Sequence, residues 1–152
     1  MSASRITHLQ GPILVIGASG FVGANILRSI LAERDDVVGT IFSGDSWRLE
    51  GVPAKNQQFM NLQDPLSVRS VLDRVNPKTI FDCSSFGAYS FEQEYERIHA
   101  TNYLSFIRLM EEVAPRGIAA FIHAGSSSEY GTNAAAPKES DALLPNSHYA
   151  VS

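Results

Sequence analysis

Residues 11–34 read GPILVIGASGFVGANILRSILAER, and this stretch decides the fold. Ile13 to Ile16 is a continuous apolar run rather than an alternating one, which suits a strand buried on both faces, as in a parallel sheet. The residues after it carry helical spacing: Val22, Ile26 and Ile30 fall four apart, and Phe21, Leu27 and Leu31 widen that face. VVGTIF (Val37 to Phe42) then reads as a second strand. Strand, glycine-rich turn, helix and strand make a βαβ crossover. Within the turn, Gly17, Gly20 and Gly23 have separable jobs. Gly17 lets the chain leave the strand in a conformation barred to side chains. Gly20 lets backbone come close to a diphosphate, and Gly23 lets the helix sit against the sheet. The helix N-terminus offers its N–H groups and positive dipole end to phosphates.

The pattern repeats outward from there. Gln57 to Met60 reads as a short third strand. Asp64 is a helix cap with Pro65 as the first helical residue. Thr79 to Asp82 is a fourth strand, and Glu94 to Val113 a long helix with a stripe of Tyr95, Ile98, Phe106, Leu109 and Val113. Ala119 to Ala124 is a fifth strand. Residues 125–147, rich in Ser, Gly, Pro and Asn, read as loop. The expected fold is α/β, a Rossmann-type doubly wound parallel sheet, truncated after about five strands.

Bulk properties narrow the function. The chain has 152 residues, 44% of them hydrophobic and 18% charged, which fits one domain with a real core. A net charge of −4 without a basic stripe argues against nucleic acid as a partner. Cys83 is the single cysteine, and His8, His99, His123 and His148 are scattered, so no metal site is expected. No apolar run approaches a membrane span, and MSASRITHLQG has no apolar signal core. A soluble cytoplasmic protein is the expectation.

The G-x-x-G-x-x-G form of the turn resembles the extended branch of the short-chain dehydrogenase/reductase family, which holds nucleotide-sugar epimerases, dehydratases and reductases. NLQD (Asn61 to Asp64) resembles the D-x-x-D that meets the adenine in that family. IFDCSSF lies where the family has I-H-L-A-A, and Asn102 where it has an asparagine in its fourth helix. FIHAGSSSEYG resembles the fifth strand with its Ser/Thr motif, and PKESDALLPNSHYAVS the segment leading to Y-x-x-x-K. The resemblance implies a dinucleotide held by Gly17, Ser19, Gly20, Phe21, Val22, Gly23, Asn61, Leu62, Cys83, Ser84, Ser85, Asn102 and Tyr149. It implies hydride transfer at a sugar carbon, with Tyr149 as acid/base and Ser126, or Ser127 if the loop is one residue shorter, orienting the substrate oxygen; Ser128 lies in the same run. It also implies a nucleotide-sugar substrate and a homodimer in the full-length protein.

Three departures sharpen or widen this reading. The end of the second strand, near Ile41 or Phe42, lacks the acidic residue that NAD-users place against the ribose. Asp45 comes a few residues later, and Arg48 could pair with a 2′-phosphate, so the expected cofactor is NADP or NAD, with NADP favoured. Ser128 occupies the position of the acid used by 4,6-dehydratases, with Glu129 one place away, which disfavours that alternative. SHYAVS stops one residue before the lysine of the motif. Residues 1–152 are therefore expected to be an incomplete N-terminal dinucleotide-binding domain, a fragment inactive alone, whose C-terminal substrate domain is absent from this chain. A non-catalytic dinucleotide sensor, or a scaffold that binds nothing, is the competing expectation.

Overall fold

Ile13, Leu14, Val15 and Ile16 form strand β1 (Ile13–Ile16), and all four are buried, as the unbroken apolar run requires. β1 pairs in parallel with β2 (Val37–Ile41) on one side and β4 (Thr79–Asp82) on the other. β3 (Gln57–Phe59) continues the sheet beyond β2, and β5 (Ala120–His123) beyond β4, giving the order β3-β2-β1-β4-β5. Strand order reverses across β1, so the switch point of this doubly wound sheet lies at the carboxyl end of β1. The computed structural model describes residues 5–44, 46–89, 91–133 and 135–152, and the Asp45 noted in the sequence lies outside them. Among the described residues no helix is long and apolar enough to cross a membrane.

The chain divides into two units, Met1–Ser84 with Arg108–Ala124, and Ser85–Ile107 with Gly125–Ser152. The first unit contains the sheet. Because alternate residues of β1 face opposite ways, Leu14 and Ile16 join a cluster with Val68, Leu72, Ile80, Leu109 and Val113, on α2 (Pro65–Val75), β4 and α4 (Ser105–Val113). Ile13 and Val15 join the opposite cluster with Leu27, Ile30 and Val37, against α1 (Phe21–Leu31). Each fully buried Leu or Ile in these layers contributes roughly 1.5–3 kcal/mol of transfer free energy.

The predicted α2 start is present: the Asp64 carboxylate accepts the Leu66 N–H at 2.9 Å, with Pro65 next in line. The α1 face differs from expectation. Its buried stripe is Gly23, Ala24, Leu27 and Ile30, while Phe21 and Val22 stand 72% and 51% exposed. The first turn meets the sheet through the backbone of Gly23, so the line of approach runs through the glycine and the neighbouring large side chains point away. Among the described residues between β2 and β3 there is no α-helix, and the 3₁₀ turns are Trp47–Leu49 and Ala54–Asn56. The second of these is anchored by the buried Asn56, whose amide donates to the carbonyls of Asp35 (3.0 Å) and Val37 (2.7 Å).

In the second unit the long helix expected from Glu94 begins as α3 (Tyr95–His99) and passes through a π turn at Ala100–Leu104 before α4. In this turn the Ala100 carbonyl accepts the Ser105 N–H, as the i→i+5 pattern of a π turn requires, and also the buried Ser105 hydroxyl at 2.8 Å. The serine-rich segment expected as loop includes a 3₁₀ turn, Ser127–Tyr130. SHYAVS does open a helix, α5 (His148–Val151): the Ser147 hydroxyl accepts the Ala150 N–H at 3.1 Å as its cap.

Candidate active site

The glycine turn follows directly from β1. Gly17 has φ +75°, and a Cβ there would sit 2.8–2.9 Å from the backbone of Cys83 and Ser84, so only glycine fits both the conformation and the space. A Cβ at Gly23 would lie 2.8 Å from the Gly17 carbonyl carbon and 2.9 Å from the Ala18 Cα. Gly20 differs: among the described residues a Cβ there meets nothing but the Gly17 carbonyl oxygen at 3.3 Å. Gly20 caps α1 with no side-chain bond, and the first-turn N–H groups of a helix have no intrahelical acceptor. The result is an open, amide-lined notch at the switch point, with the side chains of Phe21 and Val22 exposed beside it.

The loop after β2 is tied to this notch. The Ser46 hydroxyl donates to the Ser19 carbonyl at 3.2 Å. Arg28 on α1 donates to the carbonyls of Arg48 (3.0 Å) and Glu50 (2.5 Å). The Arg48 guanidinium lies 4.6 Å over the Trp47 ring, and its buried Nε has no hydrogen-bond partner among the described residues. Phe42, the first residue beyond β2, is exposed and stacks on Phe59 with ring centroids 6.4 Å apart. After β3, Asn61 folds its own turn: its side-chain oxygen accepts the Gln63 N–H at 3.0 Å, and its N–H donates to the Ser67 hydroxyl at 3.0 Å. Leu62 packs against the α2-side core.

At the carboxyl ends of β4 and β5 lies a cluster that the sequence reading did not assemble. Asp82 is 2% exposed. One carboxylate oxygen accepts the Ser84 N–H (3.1 Å) and the Ser84 hydroxyl (2.6 Å), and the other is 3.0 Å from His123 Nδ1. Asp82 and His123 stand opposite each other in the strand register. Burial, and then the neighbouring Asp82 charge, pushes the Cys83 thiol above its ordinary pKa, which keeps it protonated and a poor nucleophile.

In the second unit Ser126 caps the 3₁₀ turn: its hydroxyl oxygen accepts the Ser128 N–H at 3.1 Å, while the Glu129 carboxylate accepts the Ser126 N–H at 2.8 Å. This reciprocal capping box fixes the serine and occupies Glu129. Ser127 is exposed in the same turn. The half-buried Tyr149 lies in the first turn of α5, which contacts this 3₁₀ turn. Asn102 sits in the π turn, where its amide accepts the Phe86 N–H (2.8 Å) and donates to the Phe86 carbonyl (2.9 Å) and the Ser152 hydroxyl (2.9 Å). It thereby holds the segment that begins at the exposed Ser85.

A model of the NAD dependent epimerase/dehydratase family matches residues 13–152. The chain belongs to that family. A Bacillus subtilis relative, described as an uncharacterized UDP-glucose epimerase, is 30% identical over 91% of this chain and 47% of its own length. Sterol demethylase protein B of Methylococcus capsulatus is 27% identical over 79% of this chain and 36% of its own. Among solved structures, Bordetella bronchiseptica WbmG in complex with NAD and UDP superposes with a TM-score of 0.79 at 17% identity, over 92% of this chain and 46% of that one. This chain thus spans less than half the length of each.

Two contacts of this epimerase/dehydratase chain were missed from sequence because they join distant residues. His123 meets Asp82 across 41 positions, and His99 Nε2 lies 3.1 Å from His148 Nδ1 across 49. The four histidines read as scattered are, in space, a His–His pair, a His–Asp pair and the separate His8 near the N-terminus. The departure of Asp82 from I-H-L-A-A was a visible signal for the first pair; nothing in the spacing marked the second.

Proposed function

We propose that residues 1–152 act as the dinucleotide-binding part of an NADP-dependent epimerase or reductase working on a nucleotide-activated sugar. The observation that carries this reading is the notch at Gly20, an amide-lined space at the switch point that the chain leaves unfilled. A diphosphate fits such a notch in both shape and charge. Gly17, Ser19, Gly20, Phe21, Val22 and Gly23 would hold it, and Asn61 and Leu62 would border the adenine side. Cys83, Ser84 and Ser85 would border the opposite side, with Asn102 holding the Ser85 segment in place. When bound, the nicotinamide would take hydride from the sugar or give it back.

Tyr149 is the proton-handling group in this reading. A phenol of ordinary pKa, about 10, needs a nearby positive charge to act near neutral pH. Ser126, fixed by its capping box, orients the substrate oxygen, with Ser127 as the adjacent alternative. The occupation of Glu129 in that capping box supports epimerase or reductase over 4,6-dehydratase. Arg48, on a loop fastened to the glycine turn, and the apolar Phe42 where an acid would hold ribose hydroxyls, support NADP over NAD. Exposed Tyr103, Leu104 and Ile107 around the π turn and the start of α4 support a homodimer.

Calorimetric titration of this chain with NADP⁺, NADPH, NAD⁺ and NADH tests the reading. Tighter binding of the phosphorylated pair is the expected result. Much tighter binding of NAD(H) removes the NADP assignment, and no binding of any of the four removes the dinucleotide reading. Binding without hydride transfer to any nucleotide sugar in the full-length protein would leave a sensor.

A further inference from the structure

The Asp82 carboxylate has no role in the reading above, yet it is the most deeply buried charged side chain beside the glycine turn. The backbone of Cys83 and Ser84 is what a side chain at Gly17 would strike, so the residues hung on Asp82 form one wall of that turn. The Cys83 N–H donates to the Ile16 carbonyl at 3.0 Å, which ties this wall to the end of β1. Asp82 and His123 end β4 and β5, on the far side of β1 from β2 and β3. In a crevice that crosses the switch point, β2 and β3 take the adenosine half of a dinucleotide, which leaves β4 and β5 facing the nicotinamide half.

We infer that the Asp82 carboxylate biases this site toward the oxidised form of its nicotinamide dinucleotide, an inference that rests on the dinucleotide reading above. Both redox forms carry the same phosphates, ribose units and adenine. They differ at one ring, cationic when oxidised and neutral when reduced, so a fixed negative charge on that side of the crevice discriminates between them through Coulomb attraction alone. Three contacts hold the Asp82 carboxylate in position. A carboxylate can only accept hydrogen bonds, and Ser84 N–H, Ser84 O–H and His123 Nδ1 are its three partners. The thiol of Cys83, held protonated, adds no charge of its own. The low exposure of Asp82 weakens solvent screening of its field.

The test is the ratio of dissociation constants for NADPH and NADP⁺, and for NADH and NAD⁺, measured on this chain at pH 8. Asp82→Asn keeps the shape and removes the charge, and is expected to shift the ratio toward the reduced form by about three- to tenfold. Ser84→Ala keeps the charge and is expected to leave the ratio unchanged. If Asp82→Asn does not fold, Asp82→His, which restores the residue of the I-H-L-A-A pattern, is measured in its place with the same expected shift. Equal loss of affinity for both forms, or no change in either, overturns the inference while leaving the dinucleotide reading intact. So does a shift of the same size in Ser84→Ala. Failure of the unaltered chain to bind any of the four nucleotides overturns both.

Discussion

Replacing Gly20 and Gly23 one at a time by alanine separates what the glycine turn does for the fold from what it does for a ligand. At Gly23 the added Cβ would lie 2.8 Å from the Gly17 carbonyl carbon. An ordinary carbon–carbon contact is about 3.5 Å, and the Gly17 carbonyl oxygen would be nearer still, so the start of α1 must retreat by at least roughly 0.7 Å. The obstacle is backbone on both sides, so no rotamer change relieves it, and overpacking of this kind costs about 1–3 kcal/mol. Gly23→Ala should therefore melt about 2–12 °C lower and bind dinucleotide poorly. At Gly20 the backbone already sits at φ −76°, ψ 169°, a conformation open to alanine. The single contact there, 3.3 Å to the Gly17 oxygen, asks for little movement. The lower unfolded-state entropy and the poorer cap nearly cancel, so stability should stay within about 1 kcal/mol of the parent. Yet the methyl group would stand in the space assigned to the diphosphate, and affinity should fall about 10- to 100-fold. Thermal melts by circular dichroism and NADP⁺ titration read the two effects separately. Unchanged affinity in Gly20→Ala would refute the placement of the diphosphate, and an unchanged melt in Gly23→Ala would refute the close approach of α1 to β1.

Other outcomes follow from the same geometry. Arg48→Ala should weaken NADP⁺ at least tenfold while moving NAD⁺ little; parallel losses by titration would deny Arg48 the 2′-phosphate. In any form of the protein found to transfer hydride, Tyr149→Phe should lower that rate at least about 100-fold with dinucleotide affinity nearly unchanged, as read by nicotinamide fluorescence. Asn102→Leu should cost about 1–3 kcal/mol in a denaturant melt, because the buried-side N–H and carbonyl of Phe86 lose their partner. Arg34, chiefly through its paired hydrogen bonds, holds the Asp36 carboxyl below the usual carboxylate range. A depressed folded-state pKa adds stability that is present above the unfolded pKa of about 3.9 and is lost as pH falls through the folded value. Asp36→Asn should thus destabilise the fold at pH 7 by less than about 1 kcal/mol, because the pair is partly exposed, and the deficit should vanish in acid. A deficit that persists in acid would assign it to packing.

Much of the fold was legible in the chain. The runs ILVI and TIFD gave β1 and β4 their bounds because both are central strands, buried on each side, where the apolar signal is strongest. Asp64 and Pro65 marked the start of α2 by local chemistry alone. The face of α1 was harder, since the residue that meets the sheet is Gly23 and a search for large apolar side chains passes over it. The π turn was invisible because its partners, Ser105 and Ala100, have no distinguishing spacing before the backbone is known. The site divided in the same way. Gly17, Gly20 and Gly23 were readable because a local turn dictates them, whereas the Asp82–His123 contact depends on two strands being neighbours, which topology alone provides.

The loop carrying Trp47 and Arg48 has one further property. Its fastenings from Ser46 and Arg28 all end on main-chain carbonyls, those of Ser19, Arg48 and Glu50. None depends on which side chain occupies position 48 or 50. A lineage, or a mutagenesis library, can therefore exchange the residues presented there while the loop keeps its place. The side chains that this loop presents are evolvable at small structural cost, provided that Arg28 and Ser46 are retained.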